Sequence, residues 1–296
     1  MPKPTTNPSR FRPLTPLLCA SAALLAACAG QSPQTPAAPP TPTTLDAATA
    51  ARACQAAGLP ALPGLHITAA TLVAGGTQRA RLPDGQAVGD PLPGHCIVTG
   101  RLDERTGADG KPYHTGFELR LPSAFSGRFF YQGGGGNDGV VRPAIGRNTG
   151  ARGEADNALQ RGFAVVSTDA GHQSPTPEFG LDPQARTEHA YRAHDRTAVT
   201  AKALLSAYYG QPADRSDFVA CSGGGRQGMM FTQRFPTYFD GVIAVAPAMR
   251  VSEGATIAAA RSTPAGPGTR AWPTPAGAPG PWARRSRVRR TPATSR

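Results

Sequence analysis

The chain has 296 residues and a formal net charge of +12. Hydrophobic residues at 39% and charged residues at 17% suit a globular body, while 35 Gly and 31 Pro imply that part of the chain lies outside it. Five Cys are too few for a disulfide-stapled miniprotein, and the single long apolar run is short and N-terminal, which excludes a polytopic membrane protein.

The positive charge sits at the ends. Residues 1–27 carry +3 and residues 261–296 carry +8, which leaves only +1 for residues 28–260. A nucleic-acid surface needs cations clustered on the folded body, so no nucleic-acid partner is expected.

Lys3, Arg10 and Arg12 precede an apolar stretch from Leu14 to Ala27 that is too short to span a bilayer. It reads as a signal peptide over residues 1–27. Leu25-Ala26-Ala27-Cys28 resembles the bacterial lipobox, which makes Cys28 the expected lipidation site; ordinary cleavage at an Ala-x-Ala site is the alternative. Ala29, in place of Asp, favours the outer membrane. The expected location is therefore an exported one: outer-membrane or periplasmic lipoprotein, or secreted protein, touching a membrane only through its lipid. Residues 28–50, rich in Pro and Thr, read as a solvated tether. In an oxidising compartment Cys54 and Cys96 are the natural disulfide pair, which leaves Cys221 over.

Residues 51–260 form the expected folded domain. Thr115–Leu121 alternates, with Phe117, Leu119 and Leu121 on one face of a strand. Arg128–Gln132 is a second strand, entering Gly133-Gly134-Gly135-Gly136. A short helix is expected over Glu154–Arg161. Gly162–Thr168 is a buried parallel strand, and Thr187–Tyr209 is a helix with Ala198, Ala201, Leu205 and Tyr208 on one face. Within it, His194-Asp195-Arg196 reads as a salt-bridged surface. Asp217–Cys221 is another buried strand, Gly224–Arg234 a helix and Gly241–Ala246 a further strand. Strands alternating with helices predict an α/β fold with a parallel sheet.

Ala220-Cys221-Ser222-Gly223-Gly224 joins a strand to a helix with small residues two places either side of Ser222. That is the setting of a nucleophile elbow, whose sharp turn exposes the serine at a helix N-terminus. The Gly223 amide is then one expected oxyanion donor, and Gly133 is the expected second. A plain glycine turn capping a helix is the bland alternative. A phosphate loop is not expected, because GGGRQG has no Gly-Lys-Ser/Thr ending. Asp169 and His172 read as residues that fix a loop near this site, and Arg226 as a brace of the elbow.

Cys221-Ser222-Gly223-Gly224-Gly225-Arg226-Gln227-Gly228 resembles the Cys-Ser-x-Gly-Gly-Arg-x-Gly signature of the tannase and feruloyl esterase family, which includes enzymes acting on mono(hydroxyethyl) terephthalate. Arg128-Phe129-Phe130, Thr168-Asp169-Ala170-Gly171-His172, Phe179-Gly180-Leu181-Asp182 and Arg234-Phe235-Pro236 through Phe239-Asp240-Gly241 resemble the same family in the same order. The resemblance implies an α/β-hydrolase core and a serine esterase acting on aromatic acid esters. It implies Ser222 as nucleophile with Gly133 and Gly223 as oxyanion donors. It also implies a disulfide from Cys221 to a Cys beside the catalytic His, and a lid with a calcium site.

No His follows Ser222: the six stand at 66, 95, 114, 172, 189 and 194. The only later acids are Asp240 and Glu253, and Asp240 belongs at the wrong end of the sheet. The expected fold is thus a partial α/β-hydrolase core lacking the lid and last strands, without cofactor or metal because the family's calcium site has no residues to carry it here. Residues 261–296 hold eight Arg, seven Pro and one branched aliphatic residue, Val288. They read as a disordered tail, either the product of a frameshift after Ala260 or a basic tail that binds anions. On the second view the chain is a non-catalytic surface lipoprotein.

Overall fold

The computed structural model describes residues 42–81, 85–147, 156–174 and 176–249. The expected signal peptide, Cys28, most of the tether and the 261–296 tail lie outside the described residues. In chain order the elements are β1 (Thr43–Thr44), α1 (Ala47–Ala53), β2 (Leu65–Val73), β3 (Arg79–Arg81), β4 (Ala87–Pro91), β5 (His95–Thr106), β6 (Pro112–Pro122), β7 (Ala124–Phe125) and β8 (Arg128–Gln132). There follow β9 (Ala164–Thr168), α2 (Pro183–Thr187), α3 (Ala193–Tyr209), β10 (Arg215–Cys221), α4 (Gly223–Arg234) and β11 (Gly241–Val245). Of the helix expected over 154–161, the described part is a 3-10 turn, Leu159–Arg161.

Seven strands make one sheet in the order β11-β10-β8-β9-β6-β5-β2. The β9-β8-β10-β11 half is parallel, as the alternation of strands and helices predicts. The other half is antiparallel: β9 pairs β6, β6 pairs β5 and β5 pairs β2. The sheet is therefore mixed rather than parallel throughout, because the segment before β8 returns by hairpins, which need no crossover helix.

Period-two alternation loads both faces. Phe129 and Tyr131 of β8, Val166 of β9 and Phe218 of β10 join one core with Leu204 and Leu205 of α3. Phe130, Val165 and Val219, from the same strands, join a second core with Ile145 and Leu159. Each of these buried side chains stabilises the fold by up to about 1.5–3 kcal/mol relative to exposure. α3 ends at Gly210, whose φ of 72° supplies the left-handed cap.

Cys54, at the C-terminus of α1, is joined to Cys96 on β5 across a sequence separation of 42. Closing such a loop restricts the unfolded chain, and the stabilisation is about 3–4 kcal/mol. The Cys54→Ser/Cys96→Ser double variant is expected to lose that much in urea denaturation, with a raised m-value because the unfolded chain freed of the bond exposes more surface. A loss below about 1 kcal/mol would show that the bond does not constrain the unfolded state in this way.

Candidate active site

The chain runs β8, then β9 on one side of β8, then β10 on the other. Such a reversal opens a crevice at the carboxyl ends of the strands, where ligands bind in open α/β sheets. The glycine run follows β8 and Ser222 follows β10, and β8 and β10 are direct neighbours. The topology alone brings the two motifs together.

Ser222 has φ 59° and ψ −119°. For a residue with a side chain this costs of order 1–3 kcal/mol and needs surrounding structure to hold it. Three backbone bonds do so: the Ser222 amide donates to the Val245 carbonyl at 3.0 Å, and its carbonyl accepts from the Arg226 and Ala248 amides, each at 3.1 Å. The side chain is exposed at the start of α4, where first-turn amides have no intrahelical acceptor.

The glycine run is packed directly on this elbow. A Cβ at Gly224 would fall 2.5 Å from the Ala220 Cβ and closer still to the Gly134 carbonyl oxygen. A Cβ at Gly223 would fall 2.8 Å from the Gly136 oxygen and 3.0 Å from its nitrogen. Gln227, fully buried on α4, fastens the loop: its Oε1 accepts from the Gly134 amide at 3.2 Å, and its Nε2 donates to Asp138 Oδ2 at 2.7 Å.

This geometry corrects one expected donor. The Gly133 amide donates to the Val219 carbonyl at 3.1 Å, which extends the β8–β10 ladder by one rung. It is not available to an oxyanion. The Gly134 amide is held by Gln227. Among the described residues the amides of Gly135 and Gly136 have no acceptor, and they lie beside Gly223.

The loop after β9 supports the same region. Asp169 Oδ2 accepts from the Gly116 amide at 3.0 Å, Oδ1 accepts from the Gly171 amide at 2.9 Å, and its carbonyl accepts from Gly139, just past the glycine run. Burial pushes the Asp169 carboxyl up to about 7 and that of Asp138 up to about 6.

Four basic side chains pack behind the elbow. Arg226 Nη2 donates to His189 Nε2 at 3.2 Å, and His189 Nδ1 lies 3.4 Å from His172 Nε2. Because Arg226 can only donate, a neutral His189 carries its proton on Nδ1 and donates to His172. His172 stacks on Phe179 at 3.8 Å. His194, expected on a salt-bridged surface, is instead fully buried, 3.3 Å from the Tyr131 hydroxyl; only Arg196 of that trio makes the expected ion pair, with Asp103. No described His is hydrogen-bonded to Ser222. Asp240 accepts from the Ser216 amide at 2.8 Å, which places it near the start of β10, at the opposite end from Ser222. Cys221 is a free, exposed thiol.

Burial, then the neighbouring Arg226, holds His189 down to about 3, and burial likewise holds His194 to about 3. The unfolded value is about 6.5. Between these values the unfolded state binds more protons, so these groups make stability fall as pH drops from about 6.5 toward 3. Asp138 and Asp169 act oppositely and weaken the fold as pH rises from about 4 to about 7. His194→Gln is expected to reduce the slope of stability against pH by about one proton, roughly 1.4 kcal/mol per pH unit, in urea melts between about pH 4 and 6.5. An unchanged slope would mean that His194 is protonated in the folded state.

Sequence reasoning missed Gln227 and the burial of His194. Both had a signal. Gln227 follows Gly223 and Gly224 by four and three residues and precedes Phe231 by four, all on one face of α4. His194 precedes Ala198 by four, on the stripe already read as apolar.

Residues 96–279 match the family described as tannase and feruloyl esterase. The mono(2-hydroxyethyl) terephthalate hydrolase of Piscinibacter sakaiensis is 43% identical over 188 residues, 60% of this chain and 31% of that protein. Feruloyl esterase B of Aspergillus niger is 35% identical over 137 residues, 46% of this chain and 25% of that protein. The crystal structure of feruloyl esterase B from Aspergillus oryzae superposes with a TM-score of 0.55 at 29% identity, over 68% of this chain and 37% of that one. The chain thus spans about a third or less of the length of the relatives it matches. With more than half of its residues inside the family match, and with that sheet and elbow, the chain belongs to the tannase and feruloyl esterase family of carboxylic ester hydrolases, built on an α/β-hydrolase core.

Proposed function

We propose that Ser222 is the nucleophile of a serine esterase acting on aromatic acid esters, and that the amides of Gly223 and of Gly135 or Gly136 receive the oxyanion. The observation that carries this reading is the strained Ser222 backbone at the mouth of β10, with the glycine run against it. Attack by Ser222 Oγ on the ester carbonyl forms a tetrahedral oxyanion, the alcohol departs with a proton, and water then releases the acid from the acyl-serine. The aromatic acid preference rests on the relatives, one named for a terephthalate monoester and others for feruloyl esters.

None of the described histidines is hydrogen-bonded to Ser222, and turnover of the 296-residue chain without an added base is expected near background. Export with lipidation at Cys28 belongs to the same reading; among the described residues no helix is long and apolar enough to cross a membrane. The test of substrate class is a panel of nitrophenyl esters with imidazole supplied as the base. Feruloyl and terephthaloyl esters are expected to outrun acetyl and butyryl esters in a Ser222-dependent manner. Equal rates across the panel would remove the aromatic preference.

A further inference from the structure

A cleft of about 720 Å³ opens between the β3–β4 hairpin, β6 and the segment that follows the glycine run. Arg79 and Arg81 reach it from β3, Arg120 from β6, and Arg142 and Arg147 from the segment after the run. Between them lie apolar side chains, among them Leu92, Pro143 and Ile145. No carboxylate among the described residues lines the cleft. Glu118 stands just outside it and is engaged by Arg120 Nε at 2.7 Å and by the Ala144 amide at 2.9 Å.

The accumulation is not a matter of composition. Residues 28–260 carry a net charge of only +1, yet Arg79, Arg81, Arg120 and Arg142, from three separate stretches, line this one cleft; Arg79 and Arg81 also donate to the Gly89 and Gly85 carbonyls of their own hairpin. Like charges brought together repel, and folded surfaces ordinarily intersperse the two signs. Arg120 is moreover buried. Its Nε goes to Glu118 and its Nη1 to His95 Nε2 at 3.4 Å, while His95 Nδ1 donates to the Pro93 carbonyl at 2.8 Å. Burial lowers the basicity of His95, and a neutral ring with its proton on Nδ1 fits both bonds. Arg120 is thus held from two sides, with Nη2 unpartnered among the described residues.

The cleft wall is equally fixed. Gln132 is buried; its Nε2 donates to the Pro143 carbonyl at 3.1 Å, and its Oε1 accepts from the amides of Gly146 at 2.9 Å and Arg147 at 3.2 Å. Ser167 Oγ donates to the Arg142 carbonyl at 2.5 Å. Arginine forks match carboxylate and phosphate oxygens two at a time, and the volume falls within the range of small-molecule sites.

We propose that this cleft binds a small multivalent oxyanion, one with two or more carboxylate or phosphate groups around a compact body. The site is separate from Ser222, so its occupancy does not depend on the esterase reading. The test is calorimetric titration of the full chain with benzene-1,3,5-tricarboxylate, with inorganic pyrophosphate and with benzoate as a singly charged control. One of the two multivalent probes is expected to bind one per chain at least about tenfold more tightly than benzoate, and more weakly as salt rises. Which of them binds separates a carboxylate ligand from a phosphate one. The Arg79→Gln/Arg142→Gln double variant keeps all eight arginines of residues 261–296 and is expected to weaken binding by about tenfold or more. Arg81→Gln, a milder change on an exposed strand, is expected to weaken it by a smaller factor. Ser222→Ala is expected to leave it unchanged. Absence of saturable binding by both multivalent probes at about 1 mM, or equal affinity in a folded double variant, would overturn the proposal.

Discussion

Imidazole added to the purified chain is expected to raise the hydrolysis of a nitrophenyl feruloyl ester well above the rate in buffer, and Ser222→Ala is expected to abolish the increase. On the proposed reading the elbow supplies a positioned hydroxyl and backbone donors, but a serine hydroxyl is a weak nucleophile until a base takes its proton. Removing a triad member typically costs about 10⁴-fold or more and leaves a residue of catalysis from the oxyanion donors. The described histidines do not fill the gap. His172 and His189 are tied to one another and to Arg226, and His194 lies against Tyr131. With His189 and His194 held to about 3 by burial, both are poor proton acceptors at neutral pH. Free imidazole enters from solvent, and Ser222 is exposed to it. Steady-state rates with and without imidazole, for the chain and for Ser222→Ala, decide the matter. Robust turnover without imidazole, lost in Ser222→Ala, would mean that another group serves as base. An imidazole effect equal in both proteins would end the case for Ser222.

Gly224→Ala is expected to be among the most destabilising single-methyl additions in the chain, by about 3 kcal/mol or more. The new Cβ meets the Ala220 Cβ at 2.5 Å and the Gly134 carbonyl oxygen closer still. The first is held in β10 and the second is backbone of a loop fastened through Gln227. Neither can rotate away as the tip of a long side chain could. Relief requires the glycine run to retreat from α4, which also moves Gly135 and Gly136 from Gly223. Gly136→Ala provides the contrast. Its φ of 61° strains an alanine by about 1–2 kcal/mol, but nothing lies within 4 Å of the added atom. Urea denaturation of both variants, with the imidazole-supported rate as second readout, checks the comparison. Similar losses for the two would show that the loop is free to move from the elbow.

The nearness of Ser222 to the glycine run was legible in the sequence because it depends on local rules. A buried apolar run must be a strand, a glycine-rich turn with small neighbours must bend sharply, and a chain alternating strand and helix must place its loops at one end of a sheet. The parallel strands β8 to β11 follow from those rules. So does the pairing of Cys54 with Cys96, since an exported chain would leave few other partners.

What the sequence left undecided are questions of register and convergence. Whether the ladder between β8 and β10 stops at Gln132 or takes in Gly133 depends on a one-residue match between strands 87 residues apart, and that match ties the Gly133 amide to the Val219 carbonyl, which is why Gly135 or Gly136 is the donor proposed. The burial of His194 depends on how α3 is seated on the sheet. The arginine cleft depends on a hairpin, a central strand and a loop arriving at one place, although nothing in their local sequences announces the meeting. Periodicity encodes which face of an element is apolar; which backbone amide is left without an acceptor, and which arginines come to line one cleft, are fixed only when the elements pack.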